Sequence, residues 1–275
     1  MNAGEAKPAL KKHKPTKTNP GANRLKTKKK AMNIRINKIT NSALLGAALA
    51  VVNPATLTHA SAGNAGVLPP QSHPYGKSYA EWSAEHWKWT YSLPADAHPL
   101  TDTADVSAGQ SGPVWFLGGT WAPTTDLNGN LVGIADREVT IPAGKALFFP
   151  IIDAEASEVE GNGTTETELR EAANFLADHA VDLTCTIDEQ SVQNLESYRV
   201  ASPLFTFGPL PENNLLGLSE GTTSPAVSDG YFVMLAPLSP GSHTIHFTGA
   251  FVFTEAEDGF DFSFTLDITY RITVR

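Results

Sequence analysis

Residues 153–163 read Asp-Ala-Glu-Ala-Ser-Glu-Val-Glu-Gly-Asn-Gly and bring four carboxylates, Asp153, Glu155, Glu158 and Glu160, close together in the chain. Two carboxyl groups flanking a glycosidic bond can hydrolyse it, and several hard oxygens together can hold Ca2+. The segment is therefore the candidate for polysaccharide hydrolysis or for a calcium site, calcium being the one cofactor the sequence brings into view. Neither this stretch nor Asp126-Leu-Asn-Gly-Asn130 has the D-x-D-x-D-G spacing of a calcium loop. Carboxylates are also plentiful along the chain, so a solvated acidic loop is the plainest expectation.

The second candidate is aromatic. SYAEWSAEHWKWTYSLP, residues 78–94, packs three tryptophans and two tyrosines into the length of one helix. Ser78 and Glu81 are spaced as a capping box, and Pro94 closes the segment. At 100° per residue, Tyr79, Trp82, His86, Trp89 and Leu93 fall within an arc of about 80°. Ala80, Ala84, Trp87 and Tyr91 form a second apolar face nearly opposite, which leaves Glu81, Glu85, Lys88 and Ser92 as a narrow polar strip. A surface helix ordinarily has one apolar stripe. The first face is expected to dock on a sheet. For Trp87 and Tyr91, burial by the chain itself comes first, then a partner protein, then a sugar-stacking platform.

Other chemistry is weaker. GQSGP, residues 109–113, lacks the final glycine of a G-x-S-x-G elbow and leads into a strand instead of a helix, so it reads as a tight turn. His243 and His246 are three apart on an expected strand, point to opposite faces and cannot jointly hold a metal. His86 sits among aromatics, where a hydrogen-bonded core histidine is the commoner role. Cys185 is the one cysteine, which excludes an internal disulfide and a thiolate metal cluster. In VDLTCTID, residues 181–188, it shares its parity with Val181, Leu183 and Ile187, the side expected to be buried.

The elements that must position these residues are mostly strands. In GFDFSFTLDITYRITVR, residues 259–275, Phe260 to Val274 alternate apolar and polar without a break. Fifteen residues at about 3.3 Å each would span roughly 50 Å, a length that calls for a bend or bulge. Further strands are expected in 112–121, 130–136, 137–142, 145–153, 202–207, 230–238 and 242–253, separated by turns such as Asn128-Gly129 and Asp258-Gly259. A second helix is expected in TETELREAANFLADHA, where Thr165 and Glu168 form a capping box and Leu169, Ala172, Ala173 and Leu176 keep helical spacing. The fold expected is mainly β: an antiparallel β-sandwich or related barrel with two accessory helices, one domain over residues 75–275.

Charge divides the chain. Residues 1–62 hold 12 of the 20 basic residues, while residues 63–275 carry 8 basic against 28 acidic side chains, a net charge of −20. That excess excludes nucleic acid as a partner, since phosphate neutralisation supplies most such affinity. Residues 32–62 run from Arg35 and Lys38 through NSALLGAALAVV to Ala60-Ser61-Ala62, the three parts of a secretory signal peptide. The apolar part is too short to span a bilayer as a helix. Residues 1–31 read as a disordered basic extension or a mis-called start, and 63–74 as a loose segment. The expected location is secreted or periplasmic, with no membrane span after cleavage.

YGKSYAEWSAEHWKW, GQSGPVWFLGGTW, IPAGKALFFPI and PGSHTIHFTG together resemble a group of uncharacterised secreted bacterial proteins. The resemblance implies a bacterial, exported protein and brings no activity, cofactor or catalytic residue. That group would lead one to expect Asp-Gly in the turn after Cys185, where this chain has Ile187-Asp-Glu-Gln190. The function expected from the whole is a binding or structural protein without catalysis of its own, with carbohydrate or a surface protein as partner. The alternatives are an extracellular polysaccharide hydrolase using the carboxylates of 153–160 and a cation-dependent adhesion module.

Overall fold

A computed structural model describes residues 66–275; the extension at 1–31 and the signal peptide at 32–62 lie outside the described residues. The strands are β1 (Val114–Phe116), β2 (Thr124–Thr125), β3 (Leu131–Ile141), β4 (Ala146–Ser157), β5 (Ala180–Ile187) and β6 (Gln190–Ser191). They continue with β7 (Arg199–Ala201), β8 (Phe205–Phe207), β9 (Ser224–Leu235), β10 (Gly241–Phe253) and β11 (Phe262–Val274). The helices are α1 (Tyr79–Tyr91), α2 (Glu166–Ala177) and the one-turn α3 (Glu255–Asp258). Both expected capping boxes are formed, Ser78 with Glu81 on α1 and Thr165 with Glu168 on α2.

Two sheets make a sandwich. The first runs β1-β4-β9-β7, with β8 also on β9; the second runs β2-β3-β11-β10-β5-β6. Their inner faces meet where Phe149 stacks on Phe247 and where Ile152 reaches Gly249, whose missing side chain leaves room for it. The alternation of β11 is realised as expected, with Leu266, Ile268, Tyr270, Ile272 and Val274 buried. No bulge divides it: β11 pairs in continuous register with β10 along its whole length and with β3 over 264–274. Phe260 lies outside the strand, which shortens the run to what a twisted sheet accommodates. Most pairings are antiparallel, but β1–β4 and β3–β11 are parallel, an arrangement open to strands that no hairpin joins. The two segments expected at 130–136 and 137–142 are one strand, β3.

The irregularity falls on β5 instead. Thr248 pairs with Thr184 and Ala250 with Val181, so β5 holds one residue too many, and Asp182 takes a φ of 54° there. The bulge reverses the alternation. Cys185 and Ile187 keep the buried side, while Val181, expected beside them, is turned outward. The segment before α1 is also bonded where a loose one was expected: Val67 bridges Leu235, and the Leu68 amide donates to Met234 at 2.8 Å.

One buried cation gathers a polar cluster around itself. Arg137 on β3 is buried and donates through Nε to Asp102 at 2.6 Å and through Nη1 to the Gly119 carbonyl at 2.8 Å and the Tyr270 hydroxyl at 2.9 Å. Tyr270 in turn donates to the Gly118 carbonyl at 2.8 Å. A buried guanidinium is tolerated because each of these acceptors meets it. Gln110, from the GQSGP turn, closes the open edge of β1: its amide accepts from Phe116 N at 2.8 Å and donates to Phe116 O at 2.7 Å. The motif that resembled a nucleophile elbow is an edge cap.

The β5–β6 turn explains the missing glycine. Asp188 and Glu189 have φ of 48° and 67°, the left-handed pair of a type I′ hairpin, a turn that favours Asn-Gly or Asp-Gly. Asp188 is anchored, accepting from Thr244 N at 2.8 Å and facing His243 Nδ1 at 2.7 Å. Glu189 has no such compensation in its backbone conformation, which costs an ordinary side chain roughly 1–2 kcal/mol. Replacing Glu189 with glycine is therefore expected to stabilise the protein by about 0.5–1 kcal/mol, after the extra freedom glycine gives the unfolded chain. Thermal unfolding of Glu189→Gly beside wild type measures it; an unchanged or lowered midpoint would contradict the strain.

Candidate functional site

The two sequence candidates meet in one place. Along β4, Pro150 pairs with Phe232 and Ile152 with Tyr231, so Ile151 is an extra residue. Before this bulge Phe148 faces α1, with ring contacts to Tyr79 and His86. After it the alternation is reversed, and Asp153, Glu155 and Ser157 take the α1 side in place of Ala154 and Ala156. The alanines on the other side receive α2, where Ala156 and Val227 pack on Leu169 and Ala173. At the same point β9 supplies Gly230, where an added Cβ would stand 2.4 Å from Cα of Asp153.

Asp153 and Glu155 therefore belong to a strand lying under a helix, where a solvated loop was expected. Both residues are half-buried, yet Asp153 Oδ2 and Glu155 Oε1 are fully covered and without a hydrogen-bond partner. The other oxygen of Glu155 accepts from the Tyr91 hydroxyl at 2.9 Å. Burial pushes the Asp153 carboxyl up to about 7, partly offset by the nearby Trp87 indole, whose N–H favours the charge but lies outside good hydrogen-bond geometry. Burial pushes Glu155 further, to about 10, helped by the nearby Glu160 carboxyl. Glu160 is itself exposed and accepts from Ser157 Oγ at 2.7 Å. Glu158 points to solvent from the turn beyond β4.

The four carboxylates of 153–160 thus divide into a covered pair, one exposed partner and one free group. Among the described residues, no group of three or more His, Cys, Asp or Glu side chains is arranged to hold a metal ion.

Trp87 and Tyr91 are 9% and 1% exposed. They pack with Ala84, Phe205, Phe207, Leu210 and Ala226, and the loop after β8 adds Leu216 and Leu218. Tyr91 lies 4.5 Å from Phe207 between ring centroids, and Trp121 packs edge-on to both Trp87 and Tyr91. Trp121 donates from Nε1 to the Leu215 carbonyl at 3.2 Å, tying that loop down. The second face of α1 is covered by the chain's own loop. On the first face Trp82 donates to Pro74 O at 2.9 Å and Trp89 to Ala108 O at 3.1 Å.

The histidines and the cysteine are structural. His86 Nε2 meets the Leu117 carbonyl at 2.8 Å, which fixes the proton on that nitrogen, and burial lowers the ring to about 4. His243 and His246 sit apart, facing Asp188 and Asp267. Burial pushes the Cys185 thiol up to about 12, far from a nucleophilic thiolate. A shallow groove of about 600 Å³ crosses β3, β11 and β10 beside Asp105, Glu138, Thr140, His243 and Arg271, and neither the Trp87/Tyr91 pair nor any carboxylate of 153–160 lines it.

No family model and no curated relative matches the chain. A solved structure described as "Structure of PbICP-C in complex with falcipain-2" is similar over 60% of this chain and all of its own, at 11% identity and a TM-score of 0.20. A likeness of that size carries no argument about fold or partner.

The buried carboxyls have a consequence for stability. Both are raised in the folded state, so the folded protein holds protons that the unfolded chain releases. Their contribution is fully present below about 4 and is lost as pH rises, first through about 7 for Asp153 and then through about 10 for Glu155. His86 acts oppositely, but only between about 4 and 6.5. Between pH 7 and 9 stability is therefore expected to fall by up to about 1.4 kcal/mol per pH unit. Glu155→Gln should flatten that slope. Urea unfolding of both proteins across this range measures it, and equal slopes would contradict the buried, protonated Glu155.

Proposed function

We propose that the chain is an exported protein of binding or structural type that performs no catalysis of its own. One observation carries this: Tyr91, the residue best placed to offer a ligand platform, is spent on holding Glu155 beneath α1. A polysaccharide hydrolase needs its two carboxyls open to a sugar on one side and to water on the other. Here the aromatic residues that would stack on the sugar occupy that position themselves. The cation-dependent alternative is weakened by the same arrangement, because a protonated Glu155 offers a cation little charge.

The export half of the proposal rests on residues 32–62. Produced in a bacterial host, the protein outside the cytoplasm is expected to begin near Ser61 or Gly63 by N-terminal sequencing; an exported chain retaining residues 1–62 would contradict it. Release of reducing sugar from a polysaccharide by wild type, abolished in Glu155→Gln, would overturn the non-catalytic half.

A further inference from the structure

We propose that the end of the sandwich formed by α2, the end of β10 and the α3 turn is a docking surface for a cationic peptide segment of a partner protein. The proposal rests on the binding reading above and gives it a surface and a partner class.

Phe253 closes β10 and is buried at the centre of a cluster of rings. Phe175 of α2 lies 5.5 Å from it between centroids, Phe260 lies 5.4 Å and Phe262 6.1 Å, while His179 stacks on it at 4.5 Å. The outer rings stay in solvent: Phe175 is 41% and Phe260 43% exposed. Single exposed apolar residues need no explanation, but two phenylalanines flanking one buried ring make a contiguous patch. The fold holds both outward. Gly259, in a left-handed conformation with φ of 77°, turns the chain so that Phe260 leaves the line of β11. Phe175 is off the buried Leu169-Ala173-Ala177 stripe of α2 and shares its own stripe with Glu171.

The surroundings decide the partner. Glu171, Glu255, Glu257 and Asp261 are exposed around these rings in sequence and fold, and none makes an ion pair with a lysine or arginine among the described residues. Arg170 is taken by Glu166, and Arg199 by Asp178 and Asp229. Asp258 is turned inward to His179 Nε2 at 2.9 Å and to the Thr254 amide at 2.8 Å, and Asp261 accepts from Glu255 N at 2.8 Å, which fixes the turn. Aromatic rings attract cations through their quadrupole, and unpaired carboxylates draw them from about a Debye length away. Arginine or lysine side chains alternating with apolar ones match both. Anionic surfaces are repelled, and a second copy of this acidic chain would set one carboxylate rim against another.

The test is fluorescence anisotropy of a short labelled peptide of alternating Arg and Leu, beside its Glu-Leu counterpart, against the exported protein. The Arg peptide is expected to bind and the Glu peptide not. The double variants Phe175→Ser/Phe260→Ser and Glu171→Gln/Glu257→Gln should each weaken binding by about tenfold or more. The carboxamide variant changes exposed positions and should leave the unfolding midpoint in place, while the phenylalanine variant gives up ring contacts with Phe253 and is assayed well below its own unfolding midpoint. Absence of Arg-peptide binding, or equal binding by the phenylalanine variant, would overturn the proposal. Retention on a neutral polysaccharide that is lost in that variant would overturn this partner class while sustaining the binding reading. Self-association in sedimentation that the variant abolishes would assign the patch to a second copy and overturn it likewise.

Discussion

The hydroxyl of Tyr79 ties three segments together. It donates to the Leu68 carbonyl at 2.6 Å and accepts from the Met234 amide at 3.0 Å, while its ring rests edge-on against Phe148 of β4. With this one side chain the start of α1, the end of β9 and the incoming chain are fixed. From there α1 runs across the outer face of the first sheet, with His86 over Phe148 and Phe232 and Ser83 close to Ser228. At its far end Tyr91 reaches Glu155. Each large aromatic removes about 150–250 Å² from water, so a helix with two apolar faces contributes more than its length would imply. The loop after β8 then has a bed to lie on, and the edge of β1 is placed where Gln110 can cap it.

This arrangement constrains chemistry as well as stability. A carboxylate under a helix, within residues 63–275 that together carry a net charge of −20, would be costly if ionised, and burial shifts both carboxyls toward the protonated form. Glu155 receives a hydrogen bond from Tyr91 and has the Glu160 carboxyl nearby, which together with burial favours its neutral form and lets it link β4 to α1. Arg137 meets the opposite problem in the second layer with Asp102, two carbonyls and the Tyr270 hydroxyl. Both sites join elements that the hydrophobic contacts alone would leave free to slide. At the surface, the acid groups around Phe175 and Phe260 bring charge and exposed aromatic area together.

Periodicity made much of the fold legible. The unbroken alternation of β11, the capping boxes of α1 and α2 and the parity of Cys185 all follow from side-chain spacing, which is local. The two apolar faces of α1 could be read the same way, and so could the expectation that the chain itself covers them. Bulges could not. An extra residue at Ile151 exchanges Ala154 and Ala156 for Asp153 and Glu155 beneath α1, and one near Asp182 turns Val181 outward. Each depends on the neighbouring strand, so the local pattern gave no warning. Parallel pairing of β3 with β11 was hidden for the same reason. The burial of Arg137 had no local signal either, since its partners are Asp102, Gly118, Gly119 and Tyr270 from distant parts of the chain. The run FTEAEDGFDF at 253–262 did display aromatic and acidic residues together, and its Asp258-Gly259 turn was legible, but the alternation beginning at Phe260 assigned that ring to the strand when it lies outside it.

The central claim is that both faces of α1 are internal and hold the sandwich together. Urea unfolding of Trp82→Ala and Trp87→Ala beside wild type tests it most directly, because the two residues stand on opposite faces of one helix. The account predicts a loss of about 3–5 kcal/mol for each, the usual consequence of removing a buried tryptophan. A loss for Trp82→Ala alone, with Trp87→Ala within about 0.5 kcal/mol of wild type as exposed positions behave, would contradict it and return the second face to the role of a ligand platform.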